Sequence, residues 1–166
     1  MPDDLTFLMG KFPAVLPGDL RYAPRNHMWC RPTSSPLPLG ERGKGEGCFR
    51  FGFSAYAVRL MQDVYFLDWT VSIGQPLVYL QQIGHIETSK AESDLFAPMA
   101  GIIAAFNQDL LKDPSAINVD KYGAGWLFDM EGTAGAVVSV AEYYQYLADN
   151  WEKTQRLIKG KINTDD

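Results

Sequence analysis

The chain has 166 residues, a length that fits one domain with extra elements. Hydrophobic residues make up 46% and charged residues 21%, an ordinary globular balance that can bury a core. A formal net charge of −5 argues against a large nucleic-acid or anionic-membrane surface and favours docking on a basic protein patch. The start, Met1-Pro2-Asp3-Asp4, has neither the basic and apolar regions of a secretory signal nor the arginines of a transit peptide, so the cytoplasm is the expected location. The longest apolar run, Ala97 to Phe106, is too short to span a bilayer.

In chain order, residues 1–21 hold three prolines and two glycines and read as an irregular arm. Tyr22 to Arg31 is extended and aromatic, a first strand that Pro32 to Pro38 interrupts because proline cannot donate to a ladder. Gly43 to Gly47 supplies a flexible return, and Cys48 to Phe53 resumes as a strand, which sets Cys30 and Cys48 across a possible hairpin as two reduced thiols. Ser54 caps a short helix through Gln62, with Ala57, Val58 and Met61 on one side. Val64 to Val71 reads as a strand with Tyr65, Leu67, Trp69 and Val71 on one face. Leu77 to Glu87 is the next strand, with Val78, Leu80 and Ile86 toward the core. Thr88-Ser89-Lys90-Ala91 is then a hairpin tip before an apolar strand from Leu95 to Phe106. Asn107 caps a short helix that Pro114 ends, and Trp126 to Met130 is the final strand. Short strands between Gly/Pro turns predict a mainly β sandwich or barrel. Ser139 with Glu142 makes a capping box for an amphipathic helix to about Lys159. Its stripe, Val140, Tyr144, Leu147, Trp151 and Ile158, must cover something apolar, and Ile102 and Ala105 are the expected cover site.

Two histidines, His27 and His85, are too few for a His-rich metal site, and no metal is expected. No nucleophile turn with a Ser-His-Asp set appears, and the glycines at 43–47 lack the strand-to-helix setting of a phosphate loop. The chain is therefore not expected to be an enzyme. Lys90 stands out by its setting, Glu87-Thr88-Ser89-Lys90-Ala91-Glu92-Ser93-Asp94-Leu95-Phe96-Ala97-Pro98. A lysine that another enzyme must acylate has to protrude at a rigid turn.

This stretch resembles the lipoylation segment of the glycine-cleavage H-protein family, Glu-Ser-x-Lys-Ala-x-Ser-Asp-x-x-Ala-Pro. His27 and Trp29 resemble the family's His-Glu-Trp strand, and Gly52 to Ala57 its Gly-Ile-Thr-x-Tyr/Phe-Ala segment. Asp63 to Phe66 resembles its Asp-Val/Ile-Val-Phe, and Asp120 to Leu127 its Asp-Pro-Tyr-Gly-x-Gly-Trp-Leu, with Lys121 for proline. The likeness spans residues 22–131, which divides the chain into an arm (1–21), a carrier domain (22–131) and a helix with its tail (132–166).

The resemblance implies a barrel-sandwich hybrid of two antiparallel sheets, with lipoate covalently attached to Lys90. It implies an arm that carries an aminomethyl group between glycine decarboxylase (P-protein) and the aminomethyltransferase (T-protein), with dihydrolipoyl dehydrogenase (L-protein) reoxidising the dithiol. The lipoate-attaching enzyme is a further implied partner; in related lipoyl proteins it reads an acid three residues before the lysine and a glycine eleven after, here Glu87 and Gly101. His27 is the candidate for lining the arm. The same resemblance fits a lipoyl carrier for another redox or dehydrogenase pathway, or an unlipoylated interaction paralogue. Met28 stands where the family usually has glutamate, and a glutamate restored there is expected to be tolerated.

Overall fold

The computed structural model describes residues 3–37 and 47–165, with side chains described as far as residue 157. The Gly43-to-Gly47 return and the Ile158 side chain thus lie almost wholly or wholly outside the described residues. The strands, all paired antiparallel, are β1 Leu5–Met9, β2 Phe12–Leu16, β3 Arg21–Ala23, β4 Met28–Thr33, β5 Cys48–Phe53 and β6 Val64–Trp69, followed by β7 Pro76–Leu77, β8 Gln82–Thr88, β9 Glu92–Phe96, β10 Gly101–Phe106 and β11 Phe128–Gly132. Helices are α1 Ala55–Met61, α2 Gln108–Lys112, α3 Ala116–Val119 and α4 Val140–Asp165, with a 3-10 turn at Pro24–Asn26. The main body is a six-stranded sheet, β3-β4-β5-β11-β10-β7, and a three-stranded sheet, β6-β8-β9. Between them lies one core that includes Met28, Phe51, Ile83, Ile86, Ile103 and Phe128.

The first 21 residues are not an irregular arm. Leu5, Phe7 and Met9 alternate with exposed residues, as do Phe12, Ala14 and Leu16, and the two runs pair across a Gly10-Lys11 tip. Gly10 adopts φ +64°, a value that two-residue hairpin turns favouring glycine require. Pro13 misleads because proline interrupts a larger sheet but is tolerated at this exposed position of a two-stranded ribbon. Phe7, Met9, Ala14 and Leu16 form a second core with Tyr22, Trp29, Tyr56, Val140, Tyr143 and Leu147. The α4 stripe therefore packs on the chain's own β1 and β3, and Ile102 and Ala105 stay half-exposed without it. The capping box forms as expected: Ser139 Oγ accepts from Glu142 N at 3.2 Å, and Glu142 Oε1 accepts from Ser139 N at 3.3 Å.

Other departures have local causes. The first strand breaks at the 3-10 turn, and β4 runs on through Pro32 to Thr33. Cys30 faces Phe51 and Cys48 faces Thr33, so the buried thiols are offset rather than opposed, and burial pushes them up to about 12 and about 11. A register shift between Val64 and Phe66 leaves Tyr65 60% exposed and puts Val64 and Leu67 inside. Leu80 turns at φ +66°, which leaves Val78 66% exposed, while Ile83 joins the expected Ile86 as a core residue of β8. The apolar run after Leu95 splits at Ala97 to Ala100 into β9 and β10, and the last strand starts at Phe128 rather than Trp126.

Candidate functional site

Strands β8 and β9 form a hairpin whose buried residues, Ile86, Thr88 and Leu95, hold it to the core. Glu87 pairs with Glu92, and the turn closes as Thr88 N donates to Ala91 O at 2.9 Å. Ser89 and Lys90 form the exposed tip. Among the described residues nothing pairs with the Lys90 amine, so it projects free into solvent. The tip's backbone, by contrast, is tightly held. Thr88 Oγ1 accepts from Lys90 N at 3.2 Å and from Ala91 N at 3.1 Å, and Ser89 N donates to Asp63 O at 3.0 Å.

The body that carries the hairpin is fixed by residues of the recognised motifs. Ser54 caps α1, its hydroxyl accepting from Ala57 N at 3.2 Å. Such a cap contributes about 0.5–2 kcal/mol. Tyr122 Oη donates to Val15 O at 2.7 Å and accepts from Ala55 N at 2.8 Å, joining the N-terminal hairpin to α1. Trp29 Nε1 donates to Lys121 O at 2.9 Å, and the Trp29 ring lies so close to Gly52 that a Cβ there would sit 2.5 Å from it. Asn118 clasps Val64 from α3, accepting from its N at 3.1 Å and donating to its O at 3.3 Å. Val64 is the ladder partner of Thr88. Asn26 Nδ2 donates to Phe96 O at 2.9 Å, tying the far end of β9 to the 3-10 turn.

The candidates named from sequence separate clearly. Glu87 is on the outer face of the hairpin, partly exposed, three residues before Lys90. Gly101 is in the other sheet, opposite Gly132, with φ +150°. A Cβ on Gly101 would lie 2.0 Å from Glu131 O, so close backbone approach already demands glycine there. The His27 ring is turned toward α1 and α4. Its Nδ1 is 2.9 Å from Tyr143 Oη, which is itself 2.9 Å from Ser54 Oγ, and its ring lies 4.9 Å from that of Tyr56. Burial holds the His27 imidazole down to about 4, so the ring stays neutral at ordinary pH. Met28 is 1% exposed within the main core, so a glutamate there would be a buried acid rather than an outward one.

Two features escaped the sequence. Thr88 read only as a small polar residue, and no spacing rule signals a side chain that bonds its own turn. His85 has Nδ1 3.4 Å from Asp94 Oδ1 and Nε2 3.7 Å from Glu87 Oε1. One ligand atom each from His85, Glu87 and Glu92 lies within 4.8 Å of the others. Counting histidines could not show this, because strand register assembles the cluster beside the opposed Glu87 and Glu92.

The site is thus a free lysine on a braced tip, with an acid three residues before it. The glycine cleavage H-protein family model matches residues 42–155. The glycine cleavage system H protein of Mycobacteroides abscessus is 35% identical over 126 residues, covering 76% of this chain and 86% of its own. The chain belongs to the glycine cleavage H-protein family. That of Pseudoalteromonas atlantica is 37% identical over 113 residues, 68% of this chain and 78% of its own. The crystal structure of an H protein from Mycobacterium marinum superposes with a TM-score of 0.63 at 31% identity, covering 81% of this chain and 98% of that one. The family consists of lipoyl carriers, not enzymes. The expected mainly β fold of antiparallel sheets with a C-terminal helix is present, with the N-terminal hairpin as an extra sheet.

Proposed function

We propose that Lys90 carries an amide-linked lipoyl group and that the chain is the lipoyl carrier of a glycine cleavage system. In that role it passes an aminomethyl group from glycine decarboxylase (P-protein) to the aminomethyltransferase (T-protein), and dihydrolipoyl dehydrogenase (L-protein) returns the arm to its oxidised form. The observation that carries the reading is the free Lys90 amine on a hydrogen-bonded hairpin tip in a chain of this family. Lipoate, once attached, supplies a strained disulfide that is reducible and can hold a one-carbon unit. The chain's own residues supply presentation: the hairpin holds the attachment point outside the body, and the tether raises the local concentration of the arm at each partner's site. The partly exposed Glu87, three residues before Lys90, is the acid that the attaching enzyme reads in this proposal. Among the described residues no helix is long and apolar enough to cross a membrane, and we assign the carrier to the cytoplasm.

The test is intact-mass analysis and peptide mapping after co-expression with a lipoate-attaching enzyme. An increment of about 188 Da confined to Lys90 is the expected result, and full lipoylation persisting in Lys90→Arg overturns it. The lipoylated protein should then support glycine–bicarbonate exchange with a P-protein from the same organism. A specific observation favours a second reading, a lipoyl carrier for another redox or dehydrogenase pathway. The buried Met28 leaves no carboxylate where relatives usually have one. Full lipoylation with no exchange decides for that reading.

A further inference from the structure

We infer that Thr88 is a positioning residue for acylation of Lys90, acting through a hydroxyl that locks the backbone of the tip. The inference rests on the reading that Lys90 is acylated. Thr88 is 7% exposed, so no water readily replaces its hydroxyl. A threonine hydroxyl has one donor and two acceptor positions. All three are used on the tip: Thr88 Oγ1 accepts from Lys90 N and Ala91 N and donates to Ala91 O at 3.1 Å. The Lys90 and Ala91 N–H groups are thus held on one atom while the Lys90 side chain is exposed.

The hydroxyl is itself anchored to the body. Thr88 pairs with Val64, which Asn118 clasps, and the neighbouring Ser89 N donates to Asp63 O. The brace therefore runs from α3 through β6 to the turn, and the lysine's starting direction is set before any enzyme meets it.

In the acylation step the neutral Lys90 amine attacks the carbonyl carbon of an activated lipoyl donor, a mixed anhydride of lipoate with a phosphate group, held by the attaching enzyme. The amide C–N bond forms, the C–O bond to the phosphate breaks, and the amine's proton passes to solvent. Thr88 touches none of these atoms. Its effect is on the ordering needed to insert the tip, which a pre-formed turn largely removes. Loss of the hydroxyl should therefore raise KM for the carrier and leave kcat nearly unchanged.

The experiment measures lipoylation rates of the full-length wild type, Thr88→Val and Thr88→Ser with one lipoate-attaching enzyme. Thr88→Val should lose about tenfold in kcat/KM, mainly through KM, and Thr88→Ser should restore it to within about twofold. Wild-type rates in Thr88→Val, a fall confined to kcat, or failure of Thr88→Ser to rescue would each overturn the inference. Amide exchange in the wild type gives a test independent of whether the valine variant folds. Lys90 and Ala91 N–H should exchange slowly for exposed tip residues, and exchange as fast as at Lys11 overturns the proposal. A wild-type chain that is never acylated at Lys90 defeats the underlying reading, whereas an acylated wild type with an indifferent Thr88→Val defeats this inference alone.

Discussion

Among the described residues, two hairpins have exposed tips with a lysine in second place, Gly10-Lys11 between β1 and β2 and Ser89-Lys90 between β8 and β9. Their tips are built in opposite ways. The first turns by glycine's freedom at φ +64°, and a Cβ on Gly10 would meet nothing within 4 Å. The second uses no glycine and is held by a threonine hydroxyl and a bond to Asp63. Their bodies differ as well: the first hairpin is pressed under α4, with Phe7 edge-on to Tyr56, Tyr144 and Trp151 at 5.5–5.8 Å for Phe7's own pairs. Protrusion alone therefore does not distinguish the two lysines. What sets Lys90 apart is a stiff backbone beneath it and an acidic face beside it.

The comparison breaks most visibly at Tyr143, which serves the first hairpin's core and not the second. Its ring stacks on Tyr22 at 4.6 Å and 9°, and its hydroxyl bridges His27 and Ser54. Tyr143→Ala should cost about 3–5 kcal/mol, as large-to-small changes of buried aromatics do. Denaturant melts measure the loss, and exchange should rise in β1 and β2 before it rises in β8 and β9. A loss under about 1 kcal/mol would show that the α4 layer adds little to the fold.

A somewhat smaller effect is expected from pH. His27 has its pKa lowered to about 4 by burial, against about 6.5 unfolded. The unfolded chain therefore binds the proton more readily, and stability from this group is complete above pH 6.5 and declines as pH falls toward 4. The total is at most about 3 kcal/mol by that linkage, and it weakens the α4 side of the molecule. Wild-type melting temperature should fall over this window, and His27→Gln should flatten the part that lies above the carboxylate range. An equal slope in both proteins would remove His27 as the cause.

The second hairpin was legible from sequence and the first was not, for physical reasons. Around Lys90 the signal is local: acids, a small-residue turn and Ala97-Pro98 at fixed spacing. Ser54 and Ser139 are equally local, since a cap and its acceptor lie within one helical turn. Residues 5–16 hid behind Pro13 and Gly10, although their alternation is complete. Parity failed wherever a register shift intervened, as at Tyr65, because two residues then oppose one and the faces exchange. Tyr143 was overlooked beside the chosen Tyr144, since both lie near the inner face of α4. Gly101 stands out in the sequence only through the resemblance, and its backbone contact with Glu131 O is a tertiary fact.

The smallest effect on stability, and the sharpest on modification, comes from exchanging the two lysines. Lys11 and Lys90 are both exposed, and surface substitutions of this kind usually change stability by less than about 0.5 kcal/mol. Lys11→Arg and Lys90→Arg should therefore melt like the wild type. Arginine keeps the charge but offers no free amine for an amide bond, so lipoylation should vanish in Lys90→Arg and remain complete in Lys11→Arg. Gel mobility or intact mass after incubation with the attaching enzyme reads the result directly. Grafting sharpens it further: placing Glu at Leu8, three residues before Lys11, supplies the acid without the braced turn. If Lys11 then became acylated as fast as Lys90, the flanking acid would suffice and the stiff tip would be irrelevant. Continued silence of Lys11 means that presentation, fixed by the backbone beneath Lys90, is what the attaching enzyme requires.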